Sequence, residues 1–314
     1  MSRIRLAATM LVTVAALVAA PLSAQARALP VNYDFATGAL AGFLFPQMPP
    51  PGADNFGCQP SPAHPDPVIL VNGTFGSQDD NWQAASPLLA NHGYCVFTFN
   101  YGGSSPSAVV QGTGDIAASA GQLASFVTRV RAATGAAKVD LVGHSQGGMM
   151  PRYYLKFLGG AAFVNRLVAL APSNHGTTLD GLTALVRAFG AAGLVNSALN
   201  ASCTACVQQE AGSAFLASLN AGGDTVAGVS YTVIESRDDE VVTPYTSAFL
   251  SGPGVSNITL QNQCGLDQTD HLEIAADPVA LADVLNALDP AHPVRVPCLV
   301  VLPITGPVGP VPSF

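Results

Sequence analysis

The sequence predicts an α/β fold built on a mostly parallel sheet with helices on both faces. Three observations carry this reading. Short apolar runs such as Val68-Ile69-Leu70-Val71 lack polar alternation, as strands covered on both sides do. Longer stretches between them place apolar residues at helical spacing. The two kinds of segment alternate along the chain, the pattern of a parallel sheet with helical crossovers.

Residues 27 to 66 read as irregular, with Pro49-Pro50-Pro51 and a second Pro-rich run from Pro60 to Pro67. Val68 to Val71 is a strand ended by Asn72-Gly73, and Trp82 to His92 is a helix with Gly93 at its C-terminal end. Cys95 to Phe99 is the next strand. Ile116 to Ala133 carries Ile116, Leu123, Phe126, Val127 and Val130 at helical spacing and ends near Gly135. Lys138 to Gly143 then reads as a strand, Met149 to Leu158 as a helix and Arg166 to Ala171 as a strand. Leu179, Leu182, Leu185, Val186 and Phe189, followed by Leu194, Val195 and Leu199, suit an apolar helix. It is either a small cap at the C-terminal edge of the sheet or a core-packing helix. Tyr231 to Glu235 and Ile258 to Gln261 are the last strands, and Asp277 to Leu288 closes the domain as a helix with Pro278 in its first turn. From Pro290 the chain is too rich in Pro and Val to be helical. Its Leu302-Pro303-Ile304-Thr305-Gly306 matches a cell-wall sorting pentapeptide by chance, because no apolar span and basic tail follow it.

Composition limits the function classes. Of 314 residues, 49% are hydrophobic and 10% charged, enough for a large core and too apolar for disorder. The net charge is −8, only 12 residues are Lys or Arg, and no basic run occurs, so nucleic acid is excluded as a partner. Residues 1–26 read as a secretory signal: Arg3 and Arg5 precede an apolar run from Leu6 to Ala20, Pro21 breaks it, and Ala24-Gln25-Ala26 is a small-x-small cleavage pattern. The run is short for a membrane anchor. The expected organisation is a signal peptide at 1–26, a catalytic domain at 27–289 and a tail at 290–314, in a secreted, monomeric protein. Export makes the 6 cysteines legible as three disulfides among Cys58, Cys95, Cys203, Cys206, Cys264 and Cys298. Cys203 and Cys206 form a C-x-x-C with no second pair of ligand-like residues nearby, which argues against zinc or redox chemistry.

The strongest chemical signal is Gly143-His144-Ser145-Gln146-Gly147, a G-x-S-x-G between a strand and a helix. That context describes a nucleophile elbow, a tight turn that lifts a serine hydroxyl above the sheet beside a helix N-terminus. A serine needs a base, and an acid to orient that base, in the chain order Ser, Asp or Glu, His. After Ser145 come His175, His271 and His292. His292 sits in the Pro-rich tail and His175 comes too early to leave room for the acid, so His271, between the last strand and the last helix, is the expected base. The acid belongs just after a strand, in Ser236-Arg237-Asp238-Asp239-Glu240-Val241-Val242. Asp239 is preferred there and Asp238 is the alternative; Asp270, next to His271, reads as a loop or cap residue. For the oxyanion hole the expected donors are the backbone N–H of Gln146 and the N–H and hydroxyl of Thr74, in the loop after the first strand. Asn72-Gly73-Thr74 also reads as an ordinary turn.

VILVNGTF, DNW, GYCVFTFNYG, DLVGHSQGG, ESRDDEVVTPY and TDHLEIAADP together resemble the secreted bacterial lipases of class 2 and, more distantly, the fungal lipase B group. The likeness runs from about Cys58 to Leu288. It implies an α/β-hydrolase fold and ester hydrolysis through an acyl-enzyme without a cofactor or metal. It further implies Ser145, Asp239 and His271 as the triad, Thr74 and Gln146 at the oxyanion, and a Cys58–Cys95 bridge. The other cysteines are then expected to pair as Cys203–Cys206 and Cys264–Cys298. The expected partners are a lipid or other ester and, transiently, a lipid interface. The same triad also suits a short-chain esterase, a polyesterase or an acyltransferase, and the fold alone would suit a non-catalytic binding protein.

Overall fold

A computed structural model describes residues 28–191 and 203–313. The expected signal segment and Leu194, Val195 and Leu199 lie outside the described residues. Six strands form one sheet in the order β2-β1-β3-β4-β5-β6, and every neighbouring pair is parallel. They are β1 (Val68–Val71), β2 (Val96–Thr98), β3 (Val139–His144), β4 (Val164–Leu170), β5 (Ser230–Glu235) and β6 (Val255–Thr259). β6 starts at Val255 rather than Ile258. It lies at the sheet edge, where Ser256 and Asn257 face solvent, so half of the strand lacks the apolar signature of the others. The chain winds outward in both directions from β1, a topology that opens a crevice beyond the carboxyl ends of the strands.

Helices cover both faces: α1 (Phe35–Leu44), α2 (Ala85–Asn91), α3 (Ile116–Thr134), α4 (Gln146–Phe157), α5 (Leu179–Ala191), α6 (Thr204–Gln208), α7 (Ala214–Asn220), α8 (Leu260–Gln263) and α9 (Pro278–Leu288). Alternation along each strand divides the core. Val68, Leu70, Val142 and Ile234 pack with α2 and α9 on one face. Ile69, Val71, Leu141 and Val233 pack with α3 and α4 on the other. Asp115 caps α3 by accepting the Ala118 N–H at 2.8 Å, and Gly135 ends it at φ 70°. Asp277 caps α9 through the Val279 N–H at 2.8 Å.

α1 is a correction to the irregular segment read at 27–66. Gly38 and Gly42 weaken its helical pattern, and both are there for packing. A Cβ on Gly42 would overlap the Asp80 backbone, and one on Gly38 would meet Gln83 Cβ at 3.0 Å. α4 likewise starts at Gln146, ahead of the Met149 expected, because Gly147 and Gly148 hide the first turn of a helix that must press against the sheet. In α5, Leu185 is buried in the core and Leu182 and Val186 are half-buried. Part of this helix is therefore core packing.

The cysteines are joined as Cys58–Cys95, Cys203–Cys206 and Cys264–Cys298. The first ties the Pro-rich N-terminal segment to the start of β2. The last ties the tail to the loop after α8, where β7 (Val301–Leu302) and β8 (Gly306–Pro307) form a small antiparallel ribbon. Val301 is fully buried, and its carbonyl accepts the Gln268 N–H at 3.0 Å, so the tail props the loop that carries His271.

On α4, buried Arg152 donates to Asn174 O (3.2 Å), Asn220 Oδ1 (2.7 Å) and Asp224 Oδ1 (3.4 Å). Burial lowers its pKa to about 10, although the Asp224 charge opposes that fall. Removing the carboxylate leaves a buried cation without its counter-ion. Asp224→Ala is therefore expected to cost about 3 kcal/mol of stability, read by urea unfolding. A loss below about 1 kcal/mol would show that the neutral acceptors suffice.

Candidate active site

The loops after β1, β5 and β6, at the carboxyl ends of the strands, converge on Ser145. β3 runs into α4 with no intervening loop, and Ser145 occupies the joint at φ 55°, ψ −123°. A side chain bears that left-handed conformation only where its surroundings enforce it. The flanking glycines supply the room: a Cβ on Gly143 would overlap the Gly147 carbonyl, and one on Gly147 would overlap the Val71 carbonyl.

Ser145 Oγ lies 3.0 Å from His271 Nε2, and His271 Nδ1 lies 2.8 Å from Asp239 Oδ2. All three residues are buried. Asp239 Oδ1 accepts the backbone N–H groups of Val241 and Val242, each at 2.7 Å, which leaves Oδ2 for the imidazole. The other candidates stand elsewhere. Asp238 is exposed and its N–H bonds Ser236 Oγ at 3.1 Å. Asp270 caps the turn after His271 by accepting the Glu273 N–H at 2.8 Å. His175 bonds Asp224 at 3.2 Å, and exposed His292 bonds Asp289 at 3.0 Å.

Burial alone would lower the pKa of His271. The charge and hydrogen bond of Asp239, with the charges of Glu240 and Asp270, outweigh that and leave it raised above the ordinary 6.5. At the neighbouring His144 the bond to the His271 carbonyl and the Asp239 charge compensate too little. Burial, together with the nearby His271, pushes it down to about 3, so it is neutral, and its Nε2 bonds the His271 carbonyl at 2.8 Å. At the end of β5, fully buried Glu235 accepts the Ser236 N–H at 2.8 Å. Burial and the Asp239 charge raise its pKa well above the carboxylate range.

Thr74 and Gln146 meet directly: Gln146 Nε2 donates to Thr74 Oγ1 at 2.8 Å and to Gly112 O at 2.6 Å. The turn carrying Thr74 is braced by Asn81, whose Oδ1 accepts the Gly73 N–H at 2.8 Å, and by Tyr101, whose hydroxyl donates to Asn72 O at 2.5 Å. A second amide, Gln209, also donates to Thr74 Oγ1 at 2.8 Å. Sequence reasoning did not single out Asn81, Glu235 or Gln209. Asn81 lies within the DNW stretch and Glu235 opens the ESRDDEVVTPY stretch, while Gln209 has no sequence signal beyond being polar. Among the described residues no group of three or more His, Cys, Asp or Glu side chains is arranged to hold a metal ion.

A buried, hydrogen-bonded Ser–His–Asp line beside a cluster of N–H and O–H donors is the arrangement that acyl transfer requires. The family model for class 2 lipases matches residues 65–282. A triacylglycerol lipase of Pseudarthrobacter phenanthrenivorans is 40% identical over 92 residues, 28% of this chain and 27% of that protein. Lipase B of Pseudozyma antarctica is 30% identical over 186 residues, 58% of this chain and 48% of that protein. The matches thus span about a quarter of the bacterial relative and about half of the fungal one. Among solved structures, Aspergillus fumigatus lipase B superposes with a TM-score of 0.60 at 24% identity, covering 79% of this chain and 57% of that one, which shows a shared fold.

Proposed function

The chain belongs to the class 2 lipase family, and on that premise we propose that it is a secreted triacylglycerol lipase, a carboxylic ester hydrolase using Ser145, His271 and Asp239. The hydrogen-bonded line from Asp239 through His271 to Ser145 is the observation that carries this reading. Ser145 Oγ attacks the ester carbonyl carbon while its proton passes to His271 Nε2. The Thr74 and Gln146 donors take the charge on the carbonyl oxygen. The C–O bond to the alcohol breaks, His271 returns its proton to that oxygen, and an acyl-enzyme remains. Water then attacks the acyl carbon, again deprotonated by His271, and releases the acid and free Ser145. The three disulfides support an oxidising destination, with residues 1–26 removed on export.

The test is hydrolysis of p-nitrophenyl esters from acetate to palmitate by residues 27–314. Cleavage of the long-chain esters is expected. Activity confined to acetate and butyrate would make the protein a short-chain esterase.

An apolar surface supports action at a lipid interface. Leu40 (63% exposed), Leu44 (62%), Phe45 (59%) and Met48 (55%) crowd the end of α1. No charged residue lies between Asp34 and Asp54, and Gln47 O receives the Gln78 amide at 2.8 Å from the loop that follows Thr74. The triple variant Leu40→Ser, Leu44→Ser, Phe45→Ser is expected to lower activity on an emulsion about tenfold, since burying one such side chain is worth about 1.5–3 kcal/mol. Activity on dissolved p-nitrophenyl butyrate is expected to stay unchanged. Equal losses on both substrates would place the role of α1 in folding.

A further inference from the structure

The hydroxyl of Thr74 is held by two amides, and the bookkeeping of their hydrogen bonds leaves its proton one free direction. A threonine hydroxyl has two acceptor lone pairs and one O–H donor. Both acceptor positions are filled, by Gln146 Nε2 and by Gln209 Nε2, each at 2.8 Å. Neither amide can be turned to offer its oxygen instead. Gln146 Nε2 also donates to the Gly112 carbonyl (2.6 Å), and Gln209 Nε2 to the Ala205 carbonyl (3.1 Å). Gln209 Oε1 is in turn occupied by the Ser173 hydroxyl at 2.7 Å. Gln209 is buried at 3% exposure, so water does not compete for these positions.

We propose that Gln209 is a positioning residue that, together with the Gln146 side chain, fixes the Thr74 hydroxyl as a donor aimed at the substrate oxyanion. This rests on the lipase reading above and adds to it a residue with no expected part in the chemistry. It also gives the C-x-x-C a role. Gln209 directly follows α6, a single turn closed by the Cys203–Cys206 bond. That turn is strapped to the loop before α3 by Ala205 N–H to Thr113 O at 3.1 Å and by Gln208 Oε1 accepting the Ile116 N–H at 2.8 Å. On the far side, the Gln209 carbonyl accepts the Thr177 N–H at 3.0 Å. The disulfide-closed turn thus holds the amide against Thr74. An unconstrained hydroxyl would spend part of its time pointing elsewhere and would have to reorient as charge develops, whereas a preorganised donor does not.

The test is a double-mutant cycle on dissolved p-nitrophenyl butyrate, with Ser145→Ala measured alongside. Gln209→Glu replaces the N–H by an acceptor and turns the Thr74 proton toward residue 209, away from the oxyanion. Gln209→Met fills the same space and only frees the rotor. Thr74→Val and Gln209→Glu are each expected to lower kcat by on the order of 10²-fold with KM little changed, the effect of losing one oxyanion donor. Gln209→Met should fall between these and the wild type. In the Thr74→Val background, Gln209→Glu should have almost no further effect, and in Thr74→Ser, which keeps the hydroxyl, it should have its full effect. Equal losses from Gln209→Glu with and without the Thr74 hydroxyl would overturn the proposal, as would no loss at all. Inactive Ser145→Ala together with either of those outcomes would leave the lipase reading standing. Active Ser145→Ala would remove that reading and this inference with it. Thermal unfolding of each variant separates a misfolded protein from a mis-set hydroxyl.

Discussion

Ser145→Ala is expected to lower kcat on a soluble ester by about 10⁶-fold, with His271→Ala nearly as damaging and the double variant no worse than either single one. The expectation follows from the geometry of a single proton transfer. Ser145 Oγ and His271 Nε2 are 3.0 Å apart inside a buried site, so the hydroxyl is a nucleophile only while the imidazole accepts its proton. Removing either partner removes the same event, and the two losses therefore do not add. KM is expected to change little, since neither group holds the ground-state ester. Residual turnover of about 10³-fold over water would come from the oxyanion donors and from binding. Initial rates for the three variants, with circular dichroism to show that each is folded, decide the matter. A folded Ser145→Ala protein that still turns over an ester at a substantial rate would exclude an acyl-enzyme on Ser145.

Much of the architecture was legible because the strands are buried on both faces. β1 stands out as an uninterrupted apolar run, β3 and β4 carry shorter ones in Leu141-Val142 and Leu167 to Leu170, and the parallel sheet follows from them. Where the structure departs from the reading, a local packing demand overrides the pattern. α1 carries Gly38 and Gly42 because it lies against Gln83 and Asp80, so its own sequence argues against a helix. β6 is an edge strand with polar residues on its open side. The same division runs through the site. Ser145 was legible because its elbow imposes glycines at fixed offsets, and His271 because chain order leaves few alternatives. Asp239 and Asp238 are neighbours in one loop, and only the fold shows that the first is buried against His271 while the second faces solvent. Gln209 carries no local signature at all, and Glu235, though it opens the ESRDDEVVTPY stretch, carries none that marks it as buried beside Asp239. Each acts through a partner far away in sequence or across a tight turn, and a polar residue in a loop looks the same whether it is solvated or buried.

Asp239→Asn is expected to lower kcat by about 10⁴-fold, while Asp238→Asn stays close to wild type. The orientation of the new amide is set by its surroundings. Two backbone N–H groups, from Val241 and Val242, hold one carboxylate oxygen at 2.7 Å each, so the amide oxygen must stay there and the NH2 must face His271 Nδ1. That NH2 is a donor, and it forces the imidazole to accept at Nδ1 and carry its proton on Nε2. A ring in that tautomer cannot take the proton of Ser145. The pH profile provides a second reading of the same change. In the wild type the base must be neutral, and its pKa is raised above the ordinary 6.5 with Asp239 as the main upward influence. Activity is therefore expected to fall as pH drops through a value above 6.5. Without the Asp239 charge the imidazole loses much of its preference for the proton, so in Asp239→Asn the acid limb should move to lower pH even as the plateau collapses. A full-rate Asp239→Asn enzyme, or one whose acid limb stays in place, would mean that Asp239 neither selects the tautomer nor stabilises the imidazolium. Asp238→Asn as the damaging variant would move the acid to the other carboxylate of the loop.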